Sequence, residues 1–293
     1  GRLYGILADG ISITEDDSGD TSLMALQVGR GLITRRPAER MERAIYSGIL
    51  QARRDFHKRG EVLDEARLVE ARRVLTDRSL KTLYQPIVGL PEREVLGYEA
   101  LSRGPSGSYL GPAENFFGFA ERSGILGEVE QLCVELALER AVRLPREAML
   151  FINLSNHGLE YLDSIGLGLA DLVARSELEP GRCVLEITER TYAESQAALK
   201  HRVGELREAG FRIAIDDMGT GYSALHVLAE LQPDFIQLNH MLVRGLPSEP
   251  IKRNLVSAIT SFAGTSHSVV IAEGVEREDE MNALVELGVM LQQ

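Results

Sequence analysis

From residue 82 onward, short runs of β-branched and other apolar residues alternate with longer stretches in which apolar positions recur every three to four residues. The strand-like runs are 82–88, 95–100, 148–154, 183–187, 212–215, 235–238 and 269–272, and 289–293 would begin an eighth. Strand-like and helix-like segments in alternation favour an α/β architecture with a largely parallel sheet. A count of seven to eight suits an eightfold (β/α)8 barrel better than an open sheet. Ahead of these runs the pattern differs. Met41, Ile45, Ile49, Ala52 and Phe56 recur at helical spacing behind Pro37, which predicts a helix running towards Gly60 with one apolar face. A connecting or dimerising helix is expected over 61–78, where Leu63, Ala66, Val69 and Leu75 are set among charges. The acidic, Ser/Gly-containing stretch 14–22 reads as a loop. The predicted organisation is a mainly helical N-terminal segment with its connecting helix, 1–79, followed by a barrel over 80–293.

Polar residues stand at the C-terminal ends of the predicted strands: Glu99, Asn153, Glu186, Asp216 with Asp217, and Glu273. In a parallel barrel these ends converge on one face, so residues scattered over the sequence would meet in one site. Oxygen ligands from several strands suit hard divalent cations such as magnesium or manganese, not metals that prefer thiolates. Any one of these residues alone would read as a helix N-cap or a solvated loop residue. Asp216-Asp217-Met218-Gly219-Thr220-Gly221-Tyr222-Ser223 adds a stronger signal, two adjacent carboxylates on a strand end followed by a flexible turn. One could point inward and bridge two cations while its neighbour binds only the second.

Charge narrows the partners. A formal net charge of -12 over 293 residues argues against broad contact with a nucleic-acid polymer or an anionic lipid surface, which needs a basic face. A small phosphorylated ligand stays compatible if cations reverse the local sign. Cys133 and Cys183, far apart and in apolar surroundings, are expected as buried thiols in a reducing cytoplasm. No apolar run approaches the ~20 residues of a membrane span, and no signal peptide is visible. The chain begins at Gly1 without a methionine, so it is expected to be a piece of a longer protein, with an upstream membrane segment left open. Gly219-Thr220-Gly221 has no following Lys and does not make a nucleotide triphosphate loop. The histidines lack metal-ligand spacing, and no Gly-x-Ser-x-Gly elbow is present.

At Gly97-Tyr98-Glu99-Ala100-Leu101-Ser102-Arg103 the sequence resembles the signature of the EAL family, Glu-Ala-Leu followed by Arg. Tyr84-Gln85-Pro86-Ile87-Val88, Phe151-Ile152-Asn153-Leu154-Ser155, Leu185-Glu186-Ile187-Thr188-Glu189, residues 216–225 and Ala272-Glu273-Gly274-Val275-Glu276 resemble its companion motifs in the usual order. The resemblance covers about residue 80 to Gln293. It implies a modified TIM-type (β/α)8 barrel that binds the bacterial second messenger cyclic di-GMP. Active members hydrolyse this ligand to linear pGpG by in-line displacement at phosphorus, with two magnesium or manganese ions. Carried over residue by residue, the resemblance implies that Glu99, Asn153, Glu186 and Asp216 hold the first metal and Asp216 and Asp217 the second, with Glu273 nearby. Glu189 would brace the loop behind the paired aspartates. Gln85 and Arg103 would contact the ligand, Leu101 would supply an apolar wall, and Gln293 matches a family glutamine near the ligand. A homodimer, and an upstream sensory domain or partner protein coupled through the N-terminal helices, are further implications.

Two positions depart from the pattern. In Pro233-Asp234-Phe235-Ile236-Gln237-Leu238-Asn239, active members ordinarily carry Lys where Gln237 stands and Asp where Asn239 stands. The family lysine contacts the nucleophilic water, whereas a glutamine amide can neither usefully accept its proton nor supply positive charge. Positions 237 and 239 share a strand face and are expected to be neighbours whose charges are neutralised together. The expected catalytic group is thus Glu99, Asp216, Asp217, Gln237 and Glu273, with Gln237 its degenerate member, and Asn239 joins the ligand-binding group. The family continues beyond Gln293 into a final helix, so the C-terminal end of the domain is expected to be truncated. The expected function is a cyclic di-GMP receptor with weak or no hydrolysis. The alternatives are an active metal-dependent phosphodiesterase and a nucleotide-independent interaction scaffold.

Overall fold

A computed structural model describes residues 4–8, 29–33, 63–90, 94–188, 196–219 and 224–293. The helix expected over 37–60, the loop at 14–22 and Glu189 lie outside the described residues. The chain divides into two units, residues 1–73 and 74–293. In the first, strands β1 (Tyr4–Ala8) and β2 (Gly29–Ile33) pair antiparallel, with Tyr4 opposite Ile33. Sequence periodicity does not flag this pair, because five-residue strands, the second with two glycines, offer too few positions for alternation to register. Helix α1 is described over 63–77.

The second unit is a closed eight-stranded barrel. Its strands are β3 (Lys81–Gly89), β4 (Val95–Arg103), β5 (Met149–Asn153), β6 (Cys183–Thr188), β7 (Arg212–Met218), β8 (Phe235–Leu238), β9 (Val269–Ala272) and β10 (Leu291–Gln292), in the order β10-β3-β4-β5-β6-β7-β8-β9. All neighbours pair parallel except at β3, which runs antiparallel to both β4 and β10. The connection explains the exception. Only residues 90–94 join β3 to β4, too few for the crossover that a parallel pair needs.

Helices α2 (Ala113–Arg122), α3 (Leu126–Ala141), α4 (Asn156–Ser164), α5 (Leu169–Arg175), α6 (Gln196–Glu208), α7 (Ala224–Leu231), α8 (His240–Val243), α9 (Pro250–Ser266) and α10 (Glu278–Glu286) follow the strands. Both faces of the central parallel strands are therefore buried, β6 and β8 almost throughout, whereas β3, with no helix after it, stays largely open. Outward-facing Ile152, Leu185, Ile213, Ile236 and Val270 share a core with helical Val134, Leu138, Leu172, Val203 and Val256. Inward-facing Ile87, Phe151, Val184, Ala214, Phe235, Ile271 and Leu291 form a separate plug inside the barrel. Phe151 and Phe235 meet edge to face there, with ring centroids 5.1 Å apart.

Long α3 anchors the start of the barrel. Arg78 pairs with Glu135 and Glu139, Arg140 donates to the Leu80 carbonyl at 3.1 Å, and Tyr84 donates its hydroxyl to the Ala137 carbonyl at 2.7 Å. Cys133 and Cys183 are free, and burial pushes both thiols up to about 12. Among the described residues no helix is long and apolar enough to cross a membrane.

Candidate active site at the barrel mouth

The plug and the mouth are built from the same strands. Two residues beyond each plug residue, towards the C-terminal ends of the parallel strands, stand Asn153, Glu186, Asp216, Gln237, Glu273 and Gln293. β4 adds Glu99. Because β3 runs the other way, it adds Gln85, two residues before Ile87 and in register with Glu99. Each strand thus gives one polar residue to a ring above the apolar plug, as period-two alternation requires.

Within this ring, amides hold carboxylates. Asn153 Nδ2 donates to Glu99 Oε1 at 2.7 Å, and Gln293 Nε2 donates to Glu99 Oε2. Gln237 Nε2 donates to Glu186 Oε1 at 2.6 Å. Glu186 and Gln237 are almost wholly sealed, at 2% and 0% exposure, whereas Asn153 and Gln85 are open to solvent. Burial is the largest influence on the Glu186 carboxyl and pushes it well above the usual range, with Glu99 and Asp216 adding repulsion. Burial and the Asp217 charge raise Asp216 to about 6. Burial and the Asp216 charge raise Glu273 to about 9. In the metal-free protein burial and mutual repulsion thus favour the protonated forms of all three carboxyls.

The paired aspartates both reach the mouth because β7 bulges. Ile215 is opposite Ile236 but Met218 is opposite Leu238, so β7 carries one extra residue. Asp217 takes up the excess in the left-handed region, at φ 58°. Without the bulge Asp217 would face the helices. With it, Met218 returns to the outer core, and Asp216, Asp217 and Glu273 bring carboxylate oxygens within 4.8 Å of one another.

Gln237 and Asn239 both turn amides towards mouth carboxylates, from different elements. β8 ends at Leu238, and Asn239 is the N-cap of α8. Its Oδ1 accepts from the Met241 N–H at 2.8 Å while its Nδ2 donates to Asp217 Oδ1 at 2.7 Å. Each amide thus serves a different carboxylate, Gln237 serving Glu186 and Asn239 serving Asp217.

Beside the ring opens a cavity of about 340 Å³, whose lining includes Glu99, Leu101, Arg103, Asn153 and Glu186. Leu101 lies opposite the exposed Leu83, and Arg103 donates to the Ser102 carbonyl at 2.9 Å. The cavity continues between the barrel wall and the helices to Phe117, Glu130 and Cys133. Sequence reasoning missed Glu130, although an acid among the buried apolar positions of α3 was a readable signal. Glu130 Oε2 accepts from the Ser155 hydroxyl at 2.8 Å, and Ser155 in turn caps α4 by accepting from the Gly158 N–H. Burial raises the Glu130 carboxyl. A Cβ at Gly158 would lie 2.0 Å from Glu130 Oε2, so any larger residue there would displace this carboxylate.

Hard divalent cations fit this donor set. The trio at Asp216 is composed of oxygen donors, and Glu186 Oε2 is buried without a hydrogen-bond partner. A (β/α)8 barrel with one reversed strand and a carboxylate ring at its mouth defines the class. Residues 68–293 match the model of the EAL domain, and the chain belongs to that family.

Its relatives include the probable cyclic di-GMP phosphodiesterase PdeG of Escherichia coli K12, 31% identical over 231 residues, which cover 76% of this chain and 45% of that protein. Cyclic di-GMP phosphodiesterase NbdA of Pseudomonas aeruginosa is 32% identical over 230 residues, 74% of this chain and 28% of that protein. The chain spans less than half the length of these curated relatives. Among solved structures, the manganese/cyclic di-GMP complex of Klebsiella pneumoniae BlrP1 at pH 9.0 matches with a TM-score of 0.66 and 30% identity, covering 73% of this chain and 54% of that one. The cyclic di-GMP complex of the PaMucR phosphodiesterase matches with a TM-score of 0.66 and 30% identity, covering 77% of this chain and 93% of that one.

Proposed function

We propose that this EAL domain binds cyclic di-GMP together with magnesium or manganese ions and hydrolyses it slowly or not at all. The observation that carries the reading is Gln237, a neutral amide sealed against Glu186 where a catalytic base or ammonium would be needed. Glu99, Asn153, Glu186, Asp216 and Asp217 would hold the cations, with Glu273 beside them. The cations would supply charge neutralisation and Lewis-acid polarisation of a phosphate ester. Arg103 at the cavity wall and Gln85 at the rim would bind the ligand phosphate or base, and Leu101 with Leu83 would give its apolar parts a surface. Gln293 and Asn153 orient Glu99, while Asn239 orients Asp217. Gln237 orients Glu186 but takes no proton, and losing general-base assistance costs about a hundredfold to ten-thousandfold in rate.

A second reading, an active phosphodiesterase with another group as base, is favoured by the complete carboxylate set around Asp216. Calorimetric titration with cyclic di-GMP in the presence of Mn2+, with linear product followed by chromatography on the same sample, separates the two. Tight binding without product is expected. Fast product formation would establish the enzyme, and neither binding nor product would leave an interaction scaffold.

A further inference from the structure

We propose that the side-chain oxygen of Gln237 is itself a cation ligand, so that the residue which removes the base also makes the mouth a tighter divalent-metal site. The inference rests on the reading that the mouth holds divalent cations, and it assigns this chain a donor that a lysine at 237 could not provide.

Gln237 has no solvent exposure. Its amide nitrogen donates to Glu186 Oε1 at 2.6 Å, which fixes the opposite edge of the amide as acceptor. That acceptor, Oε1, is buried without a hydrogen-bond partner, and so is Glu186 Oε2. The contact therefore leaves two unpartnered oxygens on adjoining side chains. A buried carbonyl is rarely left in this state unless a water or an ion completes it. Gln293 repeats the arrangement, with its nitrogen on Glu99 and its Oε1 buried and unpartnered. Two amides thus present carbonyl oxygens inside a ring of carboxylates. Neutral amide oxygens are ordinary ligands of hard cations and complete a carboxylate site without adding repulsion. An ammonium at 237 would do the reverse, placing positive charge beside the cation.

Mn2+ binding without nucleotide, followed by calorimetry and by the electron paramagnetic resonance signal of free Mn2+, tests this in the intact chain. Gln237→Met keeps length and neutrality but removes both the oxygen and the Nε2 donor to Glu186, and should weaken Mn2+ binding about 10- to 100-fold. Gln237→Glu also lacks the donor but keeps an oxygen, and so separates ligation from the orienting of Glu186. Gln237→Glu should bind at least as tightly as the unaltered protein, while Gln237→Lys should bind more weakly than Gln237→Met. Equal affinity of Gln237→Met and the unaltered protein would overturn the assignment and leave a water as the partner of Oε1. Near-UV circular dichroism checks the fold of each variant. Should Gln237→Met not fold, the neutral Gln237→Leu takes its place: affinity equal to that of the unaltered protein would overturn the proposal, and about a tenfold or greater loss that Gln237→Glu does not share would support it. Absence of Mn2+ binding by the unaltered protein would remove both this inference and the metal-dependent part of the functional reading. Cyclic di-GMP binding in EDTA would then show that the receptor reading survives by itself.

Discussion

Phe151 and Asn153 lie two residues apart on β5, as do Val184 and Glu186 on β6 and Phe235 and Gln237 on β8, yet the members of each pair belong to opposite environments. The first member is sealed into an apolar plug whose burial favours folding. The second joins a ring in which burial works against the charged form of Glu186, Asp216 and Glu273. One layer holds the barrel closed, and the layer above it concentrates unfavourable charge that a cation would relieve. Destabilisation confined to one layer in this way is the pattern expected of a binding site on a rigid support.

The largest effect that separates the layers should come from the plug. Phe151→Ala removes the ring that meets Phe235 at 5.1 Å, and should lower unfolding free energy by about 3–5 kcal/mol in urea titrations. A loss under about 1 kcal/mol would show that the plug is not what closes the barrel. In the ring, Asp216→Asn should leave metal-free thermal stability unchanged or higher, because it removes one of several mutually repelling carboxylates. The same change should weaken Mn2+ binding by about a hundredfold. A fall in metal-free stability as large as that of Phe151→Ala would erase the distinction between the layers.

A smaller effect follows from protonation. Asp216 is raised from 3.8 to about 6 and Glu273 from 4.5 to about 9, so the folded metal-free chain keeps protons that the unfolded chain has already released. Stability contributed by these groups is full below their unfolded values. It is lost as pH rises through the folded ones, between about 4 and 9. Thermal unfolding in EDTA should therefore show a falling melting temperature across this window, and saturating Mn2+ should flatten the trend at its alkaline end. A melting temperature that rises with pH in EDTA would contradict the assignment of buried, proton-holding carboxylates.

The barrel was legible in the sequence because β5 to β9 are short, largely apolar and separated by helices. The boundaries read for 235–238 and 269–272 coincide with β8 and β9. Strand direction was less legible, since alternation carries no sign, and only the short 90–94 connection reveals that β3 is reversed. Glu99, Asn153, Glu186, Asp216 and Glu273 could be named because they stand at the C-terminal ends of predicted strands, whereas Gln85, Gln237 and Gln293 were named from the family resemblance. The bulge that turns Asp217 into the mouth has no signature in residue type, and the role of Asn239 as a helix cap just past the strand was not read from alternation. Glu130 was missed although its place among apolar positions of α3 could be read, because only the fold shows that Ser155 donates to it.

The central claim is that the ring binds cyclic di-GMP and that the amide at 237 limits its hydrolysis. A chromatographic time course of linear pGpG formation, with Mn2+ and the unaltered protein beside Gln237→Lys combined with Asn239→Asp, tests it directly. The account predicts bound but uncleaved ligand in the unaltered protein, and a rate about a hundredfold or more higher in the double variant. Rapid cleavage by the unaltered protein, unchanged in the double variant, would contradict it.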